Sequence, residues 1–423
     1  MNSKVTSASI YLDNFSSLVK TKVGCMRSIL IVASVFPPDA VTSSYLNFDL
    51  ADVLSKTDKV TVIRPYPSRP KGVTYTGKDI PQYNNFDTVM VNSYRCPSSN
   101  IIGRFRESIS FGHACRKFIK EHHNEIDFIY NHSWHLFGYY IVAKTAVKYG
   151  IPYMAVVQDI YPESLFTGRH FPSFIKEMIK STLGKFDKYT LRHASRVRTI
   201  SEEMRSYLIN TRDLDENKVY AVDNWQDDTN HFFKPKQKSN LFVFTYLGSI
   251  NSHSNVDLII RSFVLANLPN ALLKIFGGGN KKGECVELAK SLGAKNIEFH
   301  YVERTKVPNV QAEADVLLFA LSKGNGAFSL PSKVTSYMLS GRPILASIDQ
   351  ESATTRYINN AQCGFTVAPD NEDYLAEGFK TMYYMSYKEL ATMGQNAREF
   401  AEKHLTREVN LSIVINKIKE VLN

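Results

Sequence analysis

The sequence predicts an α/β protein built from two doubly wound, Rossmann-like domains that face each other across a cleft. Short apolar runs of strand character alternate with helix-length amphipathic segments along the whole chain. A polar, turn-rich stretch, Asn224-Trp-Gln-Asp-Asp-Thr-Asn-His-Phe-Phe-Lys-Pro235, divides that alternation into two halves. The 423 residues are also too many for one ordinary domain, and fit two of about 200 each.

The elements follow in order. Residues 1–26 lack the apolar core of a secretion signal and read as a disordered extension, with Met26 as an alternative start. Residues 27–223 form the first domain. Its strands are Ile29–Ala33, Val60–Arg64, Thr88–Asn92, Phe128–Tyr130, Tyr153–Val157 and Arg196–Ile200. Helices such as Tyr45–Leu54 and Leu136–Lys148 lie between them, and crossovers of that length make the strands parallel. Residues 224–400 repeat the pattern with Phe242–Leu247, Leu272–Phe276, Ile297–His300, Val316–Phe319, Ile344–Ala346 and Gly364–Val367. In such sheets ligands bind beyond the carboxyl ends of the strands, so the loops after the strands are where chemistry is sought.

Composition narrows the class. Hydrophobic content of 43 % and charged content of 22 % fit a soluble globular chain. No apolar run approaches the roughly 18 residues that span a bilayer. Cys25, Cys96, Cys115, Cys285 and Cys363 are scattered, odd in number and without metal spacing, which reads as free thiols in a reducing cytosol. A net charge of +10 calls for an acidic partner: nucleotide phosphates, anionic lipid headgroups or nucleic acid. Nucleic acid is set aside, because no nucleic-acid motif accompanies the charge.

The most informative segment is Ser329-Leu-Pro-Ser-Lys-Val-Thr-Ser-Tyr-Met-Leu-Ser-Gly-Arg-Pro-Ile-Leu-Ala-Ser347. Pro331 and Ser332 open a short helix, Gly341 closes it, and Pro343 leads into a strand. Unpaired amides and the positive helix end then lie beside Lys333, which suits a diphosphate. Gly248 and Ser249 follow the first strand of the second half, and Gly277, Gly278 and Gly279 follow the next; both loops let a ligand approach the backbone. Tyr301 and Val302, one strand further on, can hold a base, although a core role serves Val302 equally well.

In the first half, Thr42, Ser43 and Ser44 either cap a helix starting near Tyr45 or present hydroxyls to a sugar or phosphate. Gln158 and Asp159, directly off a buried strand, are placed to bond sugar hydroxyls, and Glu163 either joins them or favours a helix start. His132 and His135 are too close, and lack a third ligand, for a zinc site; one of them touching substrate is the better use. No metal is expected elsewhere, and no cofactor. The segment Ser173 to Arg198 spaces Phe174, Ile175, Met178, Ile179, Leu183, Phe186 and Leu191 helically, with Lys176, Lys180, Lys185, Lys188 and Arg192 largely between them. It reads as a surface helix on the core, or as a basic amphipathic face on anionic lipid.

Phe36-Pro-Pro38, Val157-Gln-Asp-Ile-Tyr-Pro-Glu163, Thr199-Ile-Ser-Glu202, Asn224-Trp225, Pro331-Ser-Lys333 and Gly341-Arg-Pro343 together resemble the retaining glycosyltransferases of family 4, with the two-domain GT-B fold. The likeness runs from about Arg27 to the end and is nearest to bacterial amino-sugar or fucose-type transferases of O-antigen, capsule and exopolysaccharide synthesis. It implies an acceptor-side first domain, a second domain binding the nucleotide sugar, and a C-terminal helix within 401–423 that crosses back onto the first. It implies no divalent metal. Departures stand out. Two glutamates common in the family fall at Phe328 and Ser336, an Arg and a Lys at Ser249 and Asn255, and a histidine at Gln158.

The resulting expectation is a cytoplasmic, peripherally membrane-associated enzyme on the inner face of the cell membrane. It moves a sugar from a nucleotide diphosphate, UDP foremost, to a lipid-linked saccharide. Pro331, Ser332 and Lys333 hold the diphosphate, Ser336 the ribose, and Gln158 and Asp159 the transferred sugar. A nucleotide-sugar epimerase and a non-catalytic nucleotide-sugar-binding subunit are the rivals.

Overall fold

The computed structural model describes residues 26–423 apart from 70–72, 74, 97–99, 134–135, 167–171, 226–238, 325 and 327–330. The expected extension up to residue 25, His135, Phe328 and most of the expected linker therefore lie outside the described residues.

Two parallel sheets organise the chain. The first runs β3-β2-β1-β4-β5-β6-β7, with β1 Ser28–Ala33, β2 Lys59–Pro65, β3 Asp87–Val91, β4 Phe128–His132, β5 Tyr153–Val156, β6 Arg196–Thr199 and β7 Val219–Ala221. The second runs β10-β9-β8-β11-β12-β13, with β8 Phe242–Leu247, β9 Ala271–Phe276, β10 Ile297–His300, β11 Val316–Ala320, β12 Ile344–Ser347 and β13 Gly364–Val367. Every strand pairing in them is parallel. The central strands are apolar on both faces, because helices cover both. Each sheet reverses its order once, between β1 and β4 and between β8 and β11. Those reversals are where crossover loops diverge and leave a crevice.

Twelve of these strands stand where the apolar runs put them. β7 has no counterpart in the sequence reading. Three residues with Tyr220 in the middle carry almost no periodic signal, and pairing of Val197 with Val219 supplies the strand instead. The Thr42–Leu54 helix starts before Tyr45, and its N-cap is Val41, with no side-chain cap. Thr42, Ser43 and Ser44 thus lie inside the first turn and do not cap it.

The Ser173–Arg192 helix departs from a simple core-facing pattern. Leu191 is buried, but Phe174 and Met178 are 72 % and 60 % exposed. At the other end of the chain, the Arg407–Leu422 helix buries Leu411, Val414 and Ile418 among Ile29, Leu50 and Tyr130 of the first sheet's layer. Asp49 fixes it there. Its carboxylate accepts from Arg407 at 2.7 Å and from the Trp225 indole at 2.8 Å. A second tie between the halves is the Arg356–Glu203 ion pair at 2.7 Å.

Candidate active site

The β8–β11 reversal forms a cavity of about 400 Å³. The Ser332–Leu339 helix supplies one wall. Its N-cap is Pro331, it has no side-chain cap and no acidic residue in its first turn, and Gly341 closes it at φ +64°. The helix's own first turn thus sets no carboxylate at the positive end of its dipole. Ser332, Lys333 and Ser336 line the cavity, facing Gly248 and Gly277 from the loops after β8 and β9. Tyr301, which is 81 % exposed, and Val302 form the side after β10.

Both of those glycines are required by space. A Cβ on Gly248 would lie 1.9 Å from the Lys333 Nζ, and one on Gly277 would lie 1.9 Å from the Gly248 carbonyl oxygen. Their φ values of +149° and +156° also disfavour other residues. Gly278 and Gly279 do not line the cavity. The Gly278 carbonyl accepts from the Ile250 amide at 2.8 Å, which ties the two loops together. Ser249 is exposed outside the lining, with its carbonyl accepting from the Tyr246 hydroxyl at 2.9 Å.

Lys333 is the electrostatic centre of the cavity. Its ammonium donates to the Tyr246 hydroxyl at 3.0 Å and lies 4.8 Å from that ring's centre. Among the described residues no carboxylate pairs with it. Burial, uncompensated by an acid, pulls its pKa down to about 8. Such a cation gains most from an incoming anion. Ser336 is buried at the cavity edge and accepts from the Gln311 amide at 2.7 Å. The sequence assigns no role to Tyr246, which stands near the end of the strand before Gly248, or to Gln311; only the fold brings them to Lys333 and Ser336.

On the first sheet, Gln158 and Asp159 follow β5, half-buried and exposed respectively. Gln158 forms a reciprocal amide pair with Asn224, at 3.2 and 2.6 Å. Asn224 in turn accepts at 3.2 Å from Arg198, a fully buried guanidinium that also donates to the Tyr130 hydroxyl. Arg198, read from the sequence as an ordinary strand residue, thus holds the amide that holds Gln158. Glu163 is engaged elsewhere. Burial alone would raise its carboxyl, but hydrogen bonds from Arg212 at 2.7 and 2.9 Å and from Tyr207 at 3.0 Å hold it below the usual range. Arg212 also bonds Asp187 at 2.7 Å.

At the β1–β4 reversal, His132 is buried with Nδ1 2.7 Å from the Asn47 side-chain oxygen. Thr42 is exposed, Ser43 half-buried, and Ser44 fully buried, with a hydroxyl that has no partner among the described residues. Among those residues no three His, Cys, Asp or Glu side chains are grouped to hold a metal, and no helix is long and apolar enough to cross a membrane.

Comparison with known proteins agrees with this architecture. The family model described as Glycosyltransferase Family 4 matches residues 47–229. The one described as Glycosyl transferases group 1 matches residues 227–400. Each half of the chain thus matches a glycosyltransferase model. The curated Probable glycosyltransferase WbjE of Pseudomonas aeruginosa is 20 % identical over 276 residues, a match taking in 62 % of this chain and 66 % of WbjE, just under two thirds of its length. Among solved structures, a glycosyltransferase from Rickettsia africae aligns with a TM-score of 0.67 at 14 % identity, covering 95 % of this chain and all of that one (100 %). HepE of Anabaena, solved in complex with UDP and glucose, aligns at 0.64 and 15 % identity over 94 % of this chain and 100 % of its own. At such identities the shared feature is the GT-B fold, and this chain presents its glycine-lined cavity on the second of its two sheets.

Proposed function

We propose that this glycosyltransferase transfers a sugar from a nucleotide diphosphate, a UDP-sugar foremost, to a lipid-linked saccharide in cell-surface polysaccharide synthesis. The anomeric configuration is retained, and the enzyme works at the inner face of the cell membrane. The observation that carries this reading is Lys333. It is a half-buried cation without an acidic partner among the described residues, set at an uncapped helix start against Gly248 and Gly277. As the glycosidic bond breaks, negative charge grows on the departing diphosphate, and fixed dipoles and an ammonium stabilise it without reorganising. Ser336 reaches the ribose and Tyr301 and Val302 flank the base. Residues 27–223 with the helix in 401–423 serve the acceptor, and residues 224–400 the donor. Gln158, Asp159, Thr42 and Ser43 face the sugar and acceptor, while Ser44 and His132 are buried. Glu163 stays with Arg212 as a structural group. The UDP complex of HepE supports uridine as the base.

A thermal-shift panel of UDP-, GDP- and TDP-sugars tests the donor, because ligand binding raises the melting temperature by mass action. The expected result is stabilisation by one or more UDP-sugars, with no conversion of that sugar until a lipid-linked acceptor is added and an α- or β-linkage matching the donor in the product. Indifference to every nucleotide sugar overturns the proposal, and turnover without acceptor assigns the site to an epimerase.

A further inference from the structure

A second cavity, of about 570 Å³, lies on the first domain, among the helices Ile101–His122, Phe137–Lys148 and Ser173–Arg192. Arg116, Lys120, Lys144 and Lys148 line it together with Tyr140 and Tyr189, and no carboxylate is in the lining. The cations come in two i,i+4 pairs, one on each of two packed helices, so they converge on one opening. Among the described residues none of the four has an ion-pair partner. Lys144 instead lies over the Tyr140 ring at 5.6 Å. Four exposed like charges repel one another unless an anion joins them.

The surroundings say what kind of anion. Tyr189 belongs to the Ser173–Arg192 helix, and the exposed Met178 and Phe174 stand on its stripe, 11 and 15 residues earlier. At about 100° per residue those positions share one helix face with Tyr189. Lys185, also exposed, falls between them on that face. A small soluble phosphate needs no apolar flank. A phosphate carried on acyl chains does, with cations at the headgroup level and large apolar side chains below it.

We propose that this cavity is the binding site for the phosphate headgroup of an anionic phospholipid, with Phe174 and Met178 entering the acyl boundary beside it. The proposal rests on the peripheral-membrane part of the functional reading, and names the surface by which that attachment is made.

Co-sedimentation of the full chain with vesicles of phosphatidylcholine containing phosphatidylglycerol tests it. Each lysine near an anionic surface contributes about 1 kcal/mol, so the pair Lys144→Gln and Lys148→Gln is expected to weaken binding about 30-fold. UDP binding and melting temperature should stay unchanged. The pair Lys295→Gln and Lys388→Gln, exposed lysines of the other domain, removes the same net charge and should cost far less. Competition by inorganic phosphate as strong as that by the vesicles would make this a soluble-phosphate site and overturn the lipid assignment. Equal losses for the two variant pairs would also overturn it, since net charge would then explain binding, while peripheral attachment would stand. Wild-type protein that ignores anionic vesicles while still binding UDP would remove both the site and the peripheral reading.

Discussion

Around the first sheet, several buried carboxylates are satisfied within the fold. Asp39 accepts from the backbone amides of Ser68 and Arg69 at 2.8 and 2.6 Å, Arg69 pairs with Glu107 at 2.9 Å, and Glu163 and Asp187 share Arg212. At the reversal of the second sheet, Lys333 has a phenol and, among the described residues, no acid. Desolvation costs both groups, but only the carboxylate–arginine network recovers that cost internally. The contrast separates an arginine–carboxylate network that supports structure from an ammonium set in a cavity with no acidic partner among the described residues, where a ligand's charge can meet it.

The largest effect should come from breaking the self-sufficient side. Arg212→Met leaves the Glu163 and Asp187 carboxylates without their shared cation. Loss of one partner from such a network costs about 3–5 kcal/mol. A urea titration should show that drop, and calorimetry should show UDP affinity unchanged at a temperature where the variant is folded. A stable Arg212→Met protein with impaired transfer would place Glu163 in the chemistry after all.

Lys333→Met should do the reverse. A charge-assisted contact to phosphate is worth about 2 kcal/mol, so UDP affinity should fall on the order of 30-fold. The nucleotide-free fold should not weaken, because the substitution removes a desolvated charge. Acidity separates the two sides further. The ammonium titrates near 8 in the folded chain and near about 10.4 when unfolded. Between those values the unfolded chain holds the extra proton, so the stability of the nucleotide-free enzyme should rise with pH across that window. UDP affinity should fall over the same range as the cation is lost. Both slopes should vanish in Lys333→Met. Parallel slopes in wild type and variant would assign them to another group.

How far the sequence carries depends on how local each signal is. Continuous apolar runs such as Ile29–Ala33 mark buried parallel strands by themselves, and Pro331 to Gly341 marks a helix by its ends; both stand as expected. β7 depends on a neighbour strand and was invisible. The cavity glycines announced a close approach, but not that the object approaching Gly248 is Lys333, 85 residues further along. The partners Tyr246, Gln311, Arg198 and Arg212 acquire their roles only through contacts across the fold, and the exposure of Phe174 and Met178 reflects what the helix lacks as a neighbour. Periodicity reports which face of a helix is apolar, not whether anything covers it.

The smallest effect is the one that tests whether Gln158 is placed or merely present. Asn224→Ala removes both hydrogen bonds of the amide pair, while the Val222 and Asp223 carbonyls remain within 3.4 and 3.5 Å of Arg198. A neutral hydrogen bond is worth about 1 kcal/mol, so kcat/KM for transfer should fall about fivefold. UDP affinity should not move, because Asn224 is outside the lining of the cavity at the β8–β11 reversal. Asn224 acts as a positioning residue only if its effect passes through Gln158. The double variant Asn224→Ala, Gln158→Ala should therefore be no slower than Gln158→Ala alone, since residues acting in series are not additive. Full additivity would mean that the two amides serve separate purposes, and that the buried Arg198 holds Asn224 for the sake of the fold.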